Sequence, residues 1–176
     1  LLKVGFIILK LRVFCYYNTQ LKLVRPMDLE QLDLNKYFLQ CTSRRIVNNG
    51  NGLKINVFDS GYNIDNQGTI LFLHGFPELA FSWRYLTAPI VEAGYRVVVP
   101  DQRGYGLTTG GENSYNCDLS SFSVLNLTND MLGLLNSLGI DSVKSVIGHD
   151  FGAYIAAYLA LIHPTIFKST VMMSAP

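Results

Sequence analysis

Short, uninterrupted apolar runs alternate along this chain with longer segments whose apolar residues recur every three or four positions. The short runs predict buried strands, and the longer segments predict amphipathic helices. The predicted strands are residues 45–47, 54–58, 70–73, 97–99, 143–147 and 170–173. The predicted helices are residues 78–93, 121–138 and 151–162. This alternation indicates an α/β protein with a doubly wound, mostly parallel sheet.

Two local patterns refine this prediction. The first two strands flank Asn-Asn-Gly-Asn-Gly at residues 48–52, and Asn-Gly pairs at such positions predict an antiparallel hairpin. In the second helix, Leu125, Leu132 and Leu135 are predicted to form the face that packs on the sheet.

The segment Gly148-His149-Asp150-Phe151-Gly152 joins the fifth predicted strand to the third predicted helix. A strand, a tight turn flanked by glycines and a helix form the context of a nucleophile elbow, in which the exposed residue is usually serine. Here that residue is Asp150. A carboxylate is ionised at neutral pH and can attack saturated carbon, giving an ester that water can cleave. The elbow therefore predicts opening of epoxides or displacement of halides, with a turn-capping aspartate as the structural alternative.

A second motif, His74-Gly75-Phe76-Pro77, ends the apolar run that begins at Thr69. The backbone N–H groups of Phe76 and Phe151 are predicted to form an oxyanion hole that holds the carbonyl oxygen of Asp150 during ester hydrolysis. A turn containing a proline is the structural alternative for this motif alone. The two motifs together are far more specific than either one.

The remaining candidate residues divide into substrate contacts and framework positions. The predicted substrate contacts are Phe76, Pro77, Trp83 and Phe151. In the loop of residues 101–106, Asp101 and Arg103 are predicted to fix the backbone, and Gly104 and Gly106 to permit its turns. His74, Gly75, Gly148 and Gly152 are assigned to the framework of the two motifs. No metal-ligand cluster and no phosphate-binding glycine loop is visible, so the sequence implies no metal and no cofactor.

These motifs, together with Ser-Trp-Arg-Tyr at residues 82–85, resemble the α/β-hydrolase fold family and, within it, the epoxide hydrolases. The resemblance extends over residues 45–176. Haloalkane dehalogenases are similar too, but they usually have tryptophan at the position of Phe151, so the resemblance favours epoxides. It implies a small apolar epoxide, or a haloalkane, and water as the reactants.

The resemblance also implies parts that these 176 residues do not show. They are a helical lid with two tyrosines that hydrogen-bond the epoxide oxygen, a late acidic residue and a late histidine that activates water. About six of the eight strands of the fold are expected, without the lid, and this polypeptide is predicted to lack turnover. His74, His149 and His163 are predicted to be structural. A non-catalytic truncated protein that binds apolar ligands is the remaining alternative.

Charge and composition restrict the classes of partner and the cellular location that the sequence predicts. A net charge of +1 without a basic stripe argues against nucleic acid. The apolar residues 4–9 are followed by Lys10 and Arg12, so no membrane-spanning segment is predicted. Three scattered cysteines without disulfide or metal spacing favour a reduced, cytoplasmic protein. They are Cys15, Cys41 and Cys117.

The beginning of the chain predicts a division into two parts. Met27 is interpreted as the natural start, which makes residues 1–26 an extraneous or disordered extension. Residues 27–176 are then a partial α/β-hydrolase core domain. The sequence gives no indication of the oligomeric state.

Overall fold

The computed structural model describes residues 42–63, 66–111, 116 and 118–174. The predictions for residues 1–26, for Met27 as the natural start and for the three cysteines lie outside these residues. Among the described residues no helix combines the length and apolarity needed to cross a bilayer.

An antiparallel hairpin opens the described part of the chain. Strands β1 (Thr42–Asn48) and β2 (Lys54–Ser60) pair so that Asn48 lies opposite Lys54. The turn between them uses Gly50 and Gly52 at φ of 73° and 88°, a backbone region that favours glycine. The hairpin predicted from the Asn-Gly pairs is therefore confirmed.

Six strands form one sheet in the spatial order β1-β2-β4-β3-β5-β6. The four later strands are β3 (Thr69–Leu73), β4 (Arg96–Pro100), β5 (Val143–His149) and β6 (Thr170–Met173). These four strands pair in parallel, whereas β2 runs antiparallel to both β1 and β4. The mostly parallel sheet predicted from the sequence is confirmed.

Helices cover both faces of the sheet, as a doubly wound fold requires. Helix α1 (Arg84–Glu92) packs on the face that carries Ile70 and Phe72, whereas α2 (Val124–Ser137) and α3 (Phe151–Ile162) pack on the face that carries Leu71 and Leu73. Alternate residues of β3 thus enter different cores, because successive side chains of a strand point to opposite faces. The apolar run of β3 is buried throughout, which explains its lack of polar alternation.

Two of the predicted helices are shorter than expected. A 3₁₀ turn at Ala80–Trp83 precedes α1, and another at Ser120–Phe122 precedes α2. Ser123 separates the second turn from α2 because its ψ of 147° is not helical, and its side chain accepts a hydrogen bond from the Asn126 N–H at 3.4 Å. Helix α3 begins and ends where the sequence predicted.

The buried face of α2 differs from the prediction. Leu125 is 54% exposed, and the buried residues are Thr128, Asp130, Met131, Leu134 and Leu135. The prediction is wrong for Leu125 only, because Leu135 is buried and Leu132 packs against the same core. The true face includes two polar residues whose side chains have partners inside the protein.

Asp130 joins α2 to the loop after β4 and to the hairpin. Its carboxylate accepts two hydrogen bonds from the Arg103 guanidinium, at 2.8 Å and 2.7 Å, and a third from the Asn51 side chain at 2.7 Å. Asp130 is 1% exposed, so these bonds replace its lost hydration. This ion pair holds the loop that begins at Asp101 against the helical layer.

Replacing Asp130 with asparagine is expected to lower the free energy of unfolding by about 3 kcal/mol, because the Arg103 cation then stays largely buried without its counter-charge. Urea unfolding measures this change. The matched control is Asp141→Asn at an exposed carboxylate, which is expected to shift stability by less than about 0.5 kcal/mol. Equal stabilities for the two variants would contradict the role given to the Arg103–Asp130 pair.

Candidate active site

Asp150 stands at a sharp turn between β5 and α3. Its φ of 52° and ψ of −122° are unusual for a residue with a side chain, and such backbone strain concentrates at functional sites. The two flanking glycines make the turn possible. A Cβ on Gly148 would lie 2.2 Å from the Gly152 carbonyl oxygen, and a Cβ on Gly152 would lie 2.3 Å from the Leu73 carbonyl oxygen. The chain therefore needs glycine at both positions to present the Asp150 side chain.

Two backbone N–H groups meet on one oxygen of the Asp150 carboxylate. The Phe76 N–H donates to Oδ1 at 3.0 Å, and the Phe151 N–H donates to the same atom at 2.7 Å. Gly75 brings the loop after β3 this close, because a Cβ there would lie 2.5 Å from the Asp150 Cβ. Two donors converging on one oxygen can stabilise negative charge that develops on it.

The same contacts govern the charge of Asp150. The hydrogen bond from the Phe76 N–H lowers the pKa of Asp150 below its usual 3.8, and the Phe151 N–H and the nearby His149 lower it further, against partial burial. Asp150 is thus a carboxylate at neutral pH and can act as a nucleophile without first losing a proton.

Glu78 ties the loop after β3 to the elbow. Its Oε2 accepts hydrogen bonds from the Gly75 N–H and from His149 Nδ1, both at 3.0 Å. Burial raises the pKa of Glu78, but the bonds from His149 and Gly75 outweigh it, so the pKa lies below its usual 4.5. The bond to Glu78 raises the pKa of His149 above 6.5. The pair thus positions both N–H donors around Asp150.

Replacing Glu78 with glutamine is expected to lower the pKa of His149 towards 6.5, because the bond to an ionised partner is lost. An NMR titration of the His149 ring measures this pKa, and an unchanged value would contradict the pairing.

The raised pKa of His149 stabilises the fold below pH 6.5, and this contribution is lost as the pH rises through the raised pKa of the folded protein. The lowered pKa of Glu78 stabilises above pH 4.5, and this contribution is lost as pH falls through it. The pair is therefore most stabilising between these values.

His74 is part of the framework of the site. Its side chain is fully buried, its Nε2 accepts from the Gln102 N–H at 3.0 Å, and its Nδ1 lies 2.9 Å from the Gly75 carbonyl oxygen. Because Nε2 is an acceptor, the proton resides on Nδ1 and donates to that carbonyl. Burial lowers the pKa of His74, so the ring is neutral, and both of its nitrogens form hydrogen bonds with backbone groups.

A family model described as alpha/beta hydrolase fold matches residues 68–176, which is more than half of the chain. The chain belongs to the alpha/beta hydrolase fold family. It is similar to Epoxide hydrolase 3 of Siraitia grosvenorii, with 38% identity over 126 residues that cover 72% of this chain and 37% of that protein. An epoxide hydrolase of Caballeronia sordidicola is also 38% identical over 126 residues, covering 72% of this chain and 35% of that protein.

Solved structures show the same relationship. The crystal structure of an epoxide hydrolase from Vigna radiata matches this α/β-hydrolase with a TM-score of 0.65 and 37% identity, covering 78% of this chain and 40% of that chain. This α/β-hydrolase therefore spans well under half the length of the relatives it matches.

In this α/β-hydrolase the loop after β4 is held by two separate carboxylates. Asp101 accepts from the Ala80 N–H and from the Asn56 side chain, each at 2.8 Å, whereas Arg103 pairs with Asp130. Gly104 and Gly106 have φ of 77° and 55°, and a Cβ on Gly106 would lie 2.1 Å from Asp101 Oδ2. Asp101 and Arg103 thus fix the loop through partners in other elements.

The predicted substrate contacts differ in their surroundings. Phe76 and Phe151 are 63% and 62% exposed beside Asp150, and Pro77, which follows a cis peptide bond, is also exposed. Trp83 is fully buried, with its ring 4.5 Å from that of Phe72 in the core beneath α1. The prediction that Trp83 contacts substrate is wrong, because this side chain has no exposed surface.

Sequence reasoning missed the partners that hold the site together. Glu78, Asn56 and Asp130 each bind a motif residue that lies far away in the chain or in another element. One signal was available for Glu78, since a carboxylate three residues after Gly75 can reach the Gly75 N–H. Among the described residues no group of three potential ligands could hold a metal ion.

Proposed function

We propose that this chain carries the nucleophile and the oxyanion hole of an epoxide hydrolase, which converts an epoxide to a vicinal diol through an ester on Asp150. The observation that carries the proposal is an ionised carboxylate at the elbow with two N–H donors on one oxygen. The substrate class is supported by the relatives that are named epoxide hydrolases.

The positions of the donors divide the roles of the two carboxylate oxygens. Both described donors bind Oδ1, so Oδ2 is the oxygen that attacks an epoxide carbon. The new bond from Oδ2 to carbon forms as the ring C–O bond breaks, and the released alkoxide takes up a proton. Water then adds to the ester carbonyl carbon and loses a proton. The negative charge on Oδ1 is stabilised by the Phe76 and Phe151 N–H groups until the diol leaves and the carboxylate returns.

Hydrolysis of the ester requires a base that activates water, and none of the three histidines in the sequence is placed for that task. His74 is committed to Gly75 and Gln102, and His149 binds Glu78. His163 caps the far end of α3, the helix whose first residues follow Asp150. We therefore expect this polypeptide to form the ester and to accumulate it.

The test is incubation of the protein with styrene oxide and, separately, with 1-bromobutane, followed by intact-protein mass spectrometry and peptide mapping. An epoxide adds its whole mass to Asp150, because ring opening expels no group. A haloalkane adds only its alkyl group and releases halide, so this outcome would indicate a dehalogenase. Reversible binding of styrene oxide without an adduct would indicate a non-catalytic binding protein.

The cellular location stays a prediction. The cytoplasmic assignment rests on the scattered cysteines, which lie outside the described residues. Fractionation of the cells that express this chain would test it.

A further inference from the structure

A cavity of about 170 Å³ opens beside the elbow. Its walls come from the loop after β4, the 3₁₀ turn at Ser120–Phe122, α2 and α3. The side chains that matter for its chemistry are Tyr105, Phe122, Leu127, Phe151 and Ile155.

The cavity lies next to the reacting carboxylate. Gly75 and Phe151 are both part of its lining. Gly75 is so close to Asp150 that an added Cβ would be 2.9 Å from Oδ1, and the Phe151 N–H binds that oxygen. A substrate held at Asp150 can therefore extend a substituent into the cavity without a change in the elbow.

Apart from the Tyr105 hydroxyl, the polar groups of the lining are engaged with protein partners. His74 binds Gln102 and Gly75, the Gln102 side chain donates to the His74 carbonyl oxygen, and Arg103 pairs with Asp130. What remains for a ligand is a mainly aromatic and aliphatic surface with one hydroxyl, that of Tyr105, whose ring lies edge-on to His74 at 4.9 Å between centroids. Such a surface favours an apolar group and penalises a charged one.

The volume sets the size of that group. A protein cavity of about 150 Å³ with a leucine, isoleucine and phenylalanine lining binds benzene. The cavity of about 170 Å³ beside Asp150 therefore matches one six-membered ring or a short branched alkyl chain. A second ring would have to displace Leu127 or Phe122.

We propose that this cavity binds one apolar substituent of the epoxide, about the size of a phenyl ring, and that Leu127 of α2 limits that size. The proposal rests on the proposed function for its reactive partner, but the cavity can be tested without any reaction. Leu127 acts here as a specificity-determining residue, because it contacts the substituent and not the reacting atoms.

The first experiment uses ethylbenzene, which has the ring and the alkyl group but no epoxide. Ligand-observed NMR is expected to show saturable binding to the wild type, and Leu127→Trp is expected to weaken it at least about tenfold by filling the cavity. The matched control is Leu125→Trp, which adds the same bulk on the exposed face of the same helix and is expected to bind like the wild type. Binding that is absent in the wild type, or equal in both variants, would overturn the proposal.

The second experiment compares rates of Asp150 labelling by styrene oxide and propylene oxide. Leu127→Trp is expected to reduce the styrene oxide rate at least about tenfold relative to the propylene oxide rate. Leu127→Ala, which enlarges the cavity, is expected to raise the relative rate for 2-vinylnaphthalene oxide and thus covers the case in which the tryptophan variant misfolds. An unchanged ratio in Leu127→Ala would also overturn the proposal.

The two experiments separate failure of this inference from failure of the proposed function. If ethylbenzene binding depends on Leu127 but no epoxide labels Asp150, the role proposed for the cavity is supported and the proposed epoxide hydrolase function is refuted. Asp150 labelling rates that are unchanged by substitution of Leu127 would support Asp150 as the nucleophile and refute the role proposed for the cavity.

Discussion

Replacing Asp150 with asparagine is expected to reduce covalent labelling by styrene oxide at least about a thousandfold. The amide has nearly the same shape as the carboxylate, and its oxygen can still accept from the Phe76 and Phe151 N–H groups. It lacks the negative charge that makes Oδ2 a nucleophile. The change therefore tests the chemistry of the side chain and not the structure of the elbow. The extent of labelling is measured from the intact mass of the protein after incubation.

A matched control distinguishes loss of the nucleophile from a general loss of carboxylates. Asp141→Asn removes an exposed carboxylate just before β5 and is expected to label like the wild type. Equal labelling of the Asp150→Asn protein and the wild type, with the adduct mapped to another residue, would refute the proposed nucleophile. Circular dichroism of both variants establishes that the fold is unchanged.

Replacing Gly75 with alanine is expected to slow labelling of Asp150 about a hundredfold. The added Cβ would lie 2.5 Å from the Asp150 Cβ and 3.0 Å from the His149 carbonyl oxygen, so the loop after β3 and the elbow must move apart. A displacement of about 1 Å at a reacting group can reduce a rate by that factor. The pKa of Asp150 is expected to rise towards 3.8 as the Phe76 N–H withdraws.

The control for this change is another crowded glycine. A Cβ on Gly133 of α2 would lie 2.6 Å from the Asn49 side-chain oxygen, so Gly133→Ala introduces a comparable clash in a different part of the molecule. Gly133→Ala is expected to reduce stability and to leave the labelling rate within about twofold of the wild type. Equal slowing in both variants would mean that the Gly75 effect is a general consequence of destabilisation.

The elbow was predictable from the sequence because its signals are local. Gly148 and Gly152 are required by contacts within a few residues and with the adjacent strand, so a strand, a turn and a helix around Asp150 could be recognised directly. Helix α3 consequently begins and ends at the predicted residues. The mostly parallel character of the sheet followed from the alternation of strand and helix, whereas the order of its strands came only from the structure.

The failures have a common physical cause. A large apolar residue at helical spacing fits a core and a binding site equally well, and only the packing of α1 against β3 shows that Trp83 belongs to the core. The face of α2 was misjudged because Thr128 and Asp130 are polar yet buried. Thr128 donates to the Val124 carbonyl oxygen within the helix, whereas the burial of Asp130 depends on Arg103, which lies far away in the chain and leaves no periodic signal.

Because both N–H donors bind Oδ1, the two oxygens of Asp150 are expected to differ in whether they exchange with water during the reaction. In a protein that also supplies the water-activating base, a complete catalytic cycle in ¹⁸O-labelled water releases the oxygen that attacked the substrate with the diol, and an oxygen from water takes its place. The oxygen held by Phe76 and Phe151 is retained. As long as the carboxylate does not rotate, repeated turnover incorporates one heavy oxygen into Asp150. A rotation between cycles exchanges the positions of the two oxygens, so that the retained oxygen attacks next and a second heavy oxygen is incorporated. The mass of the Asp150 peptide after many cycles would therefore report how firmly two backbone amides restrain one side chain.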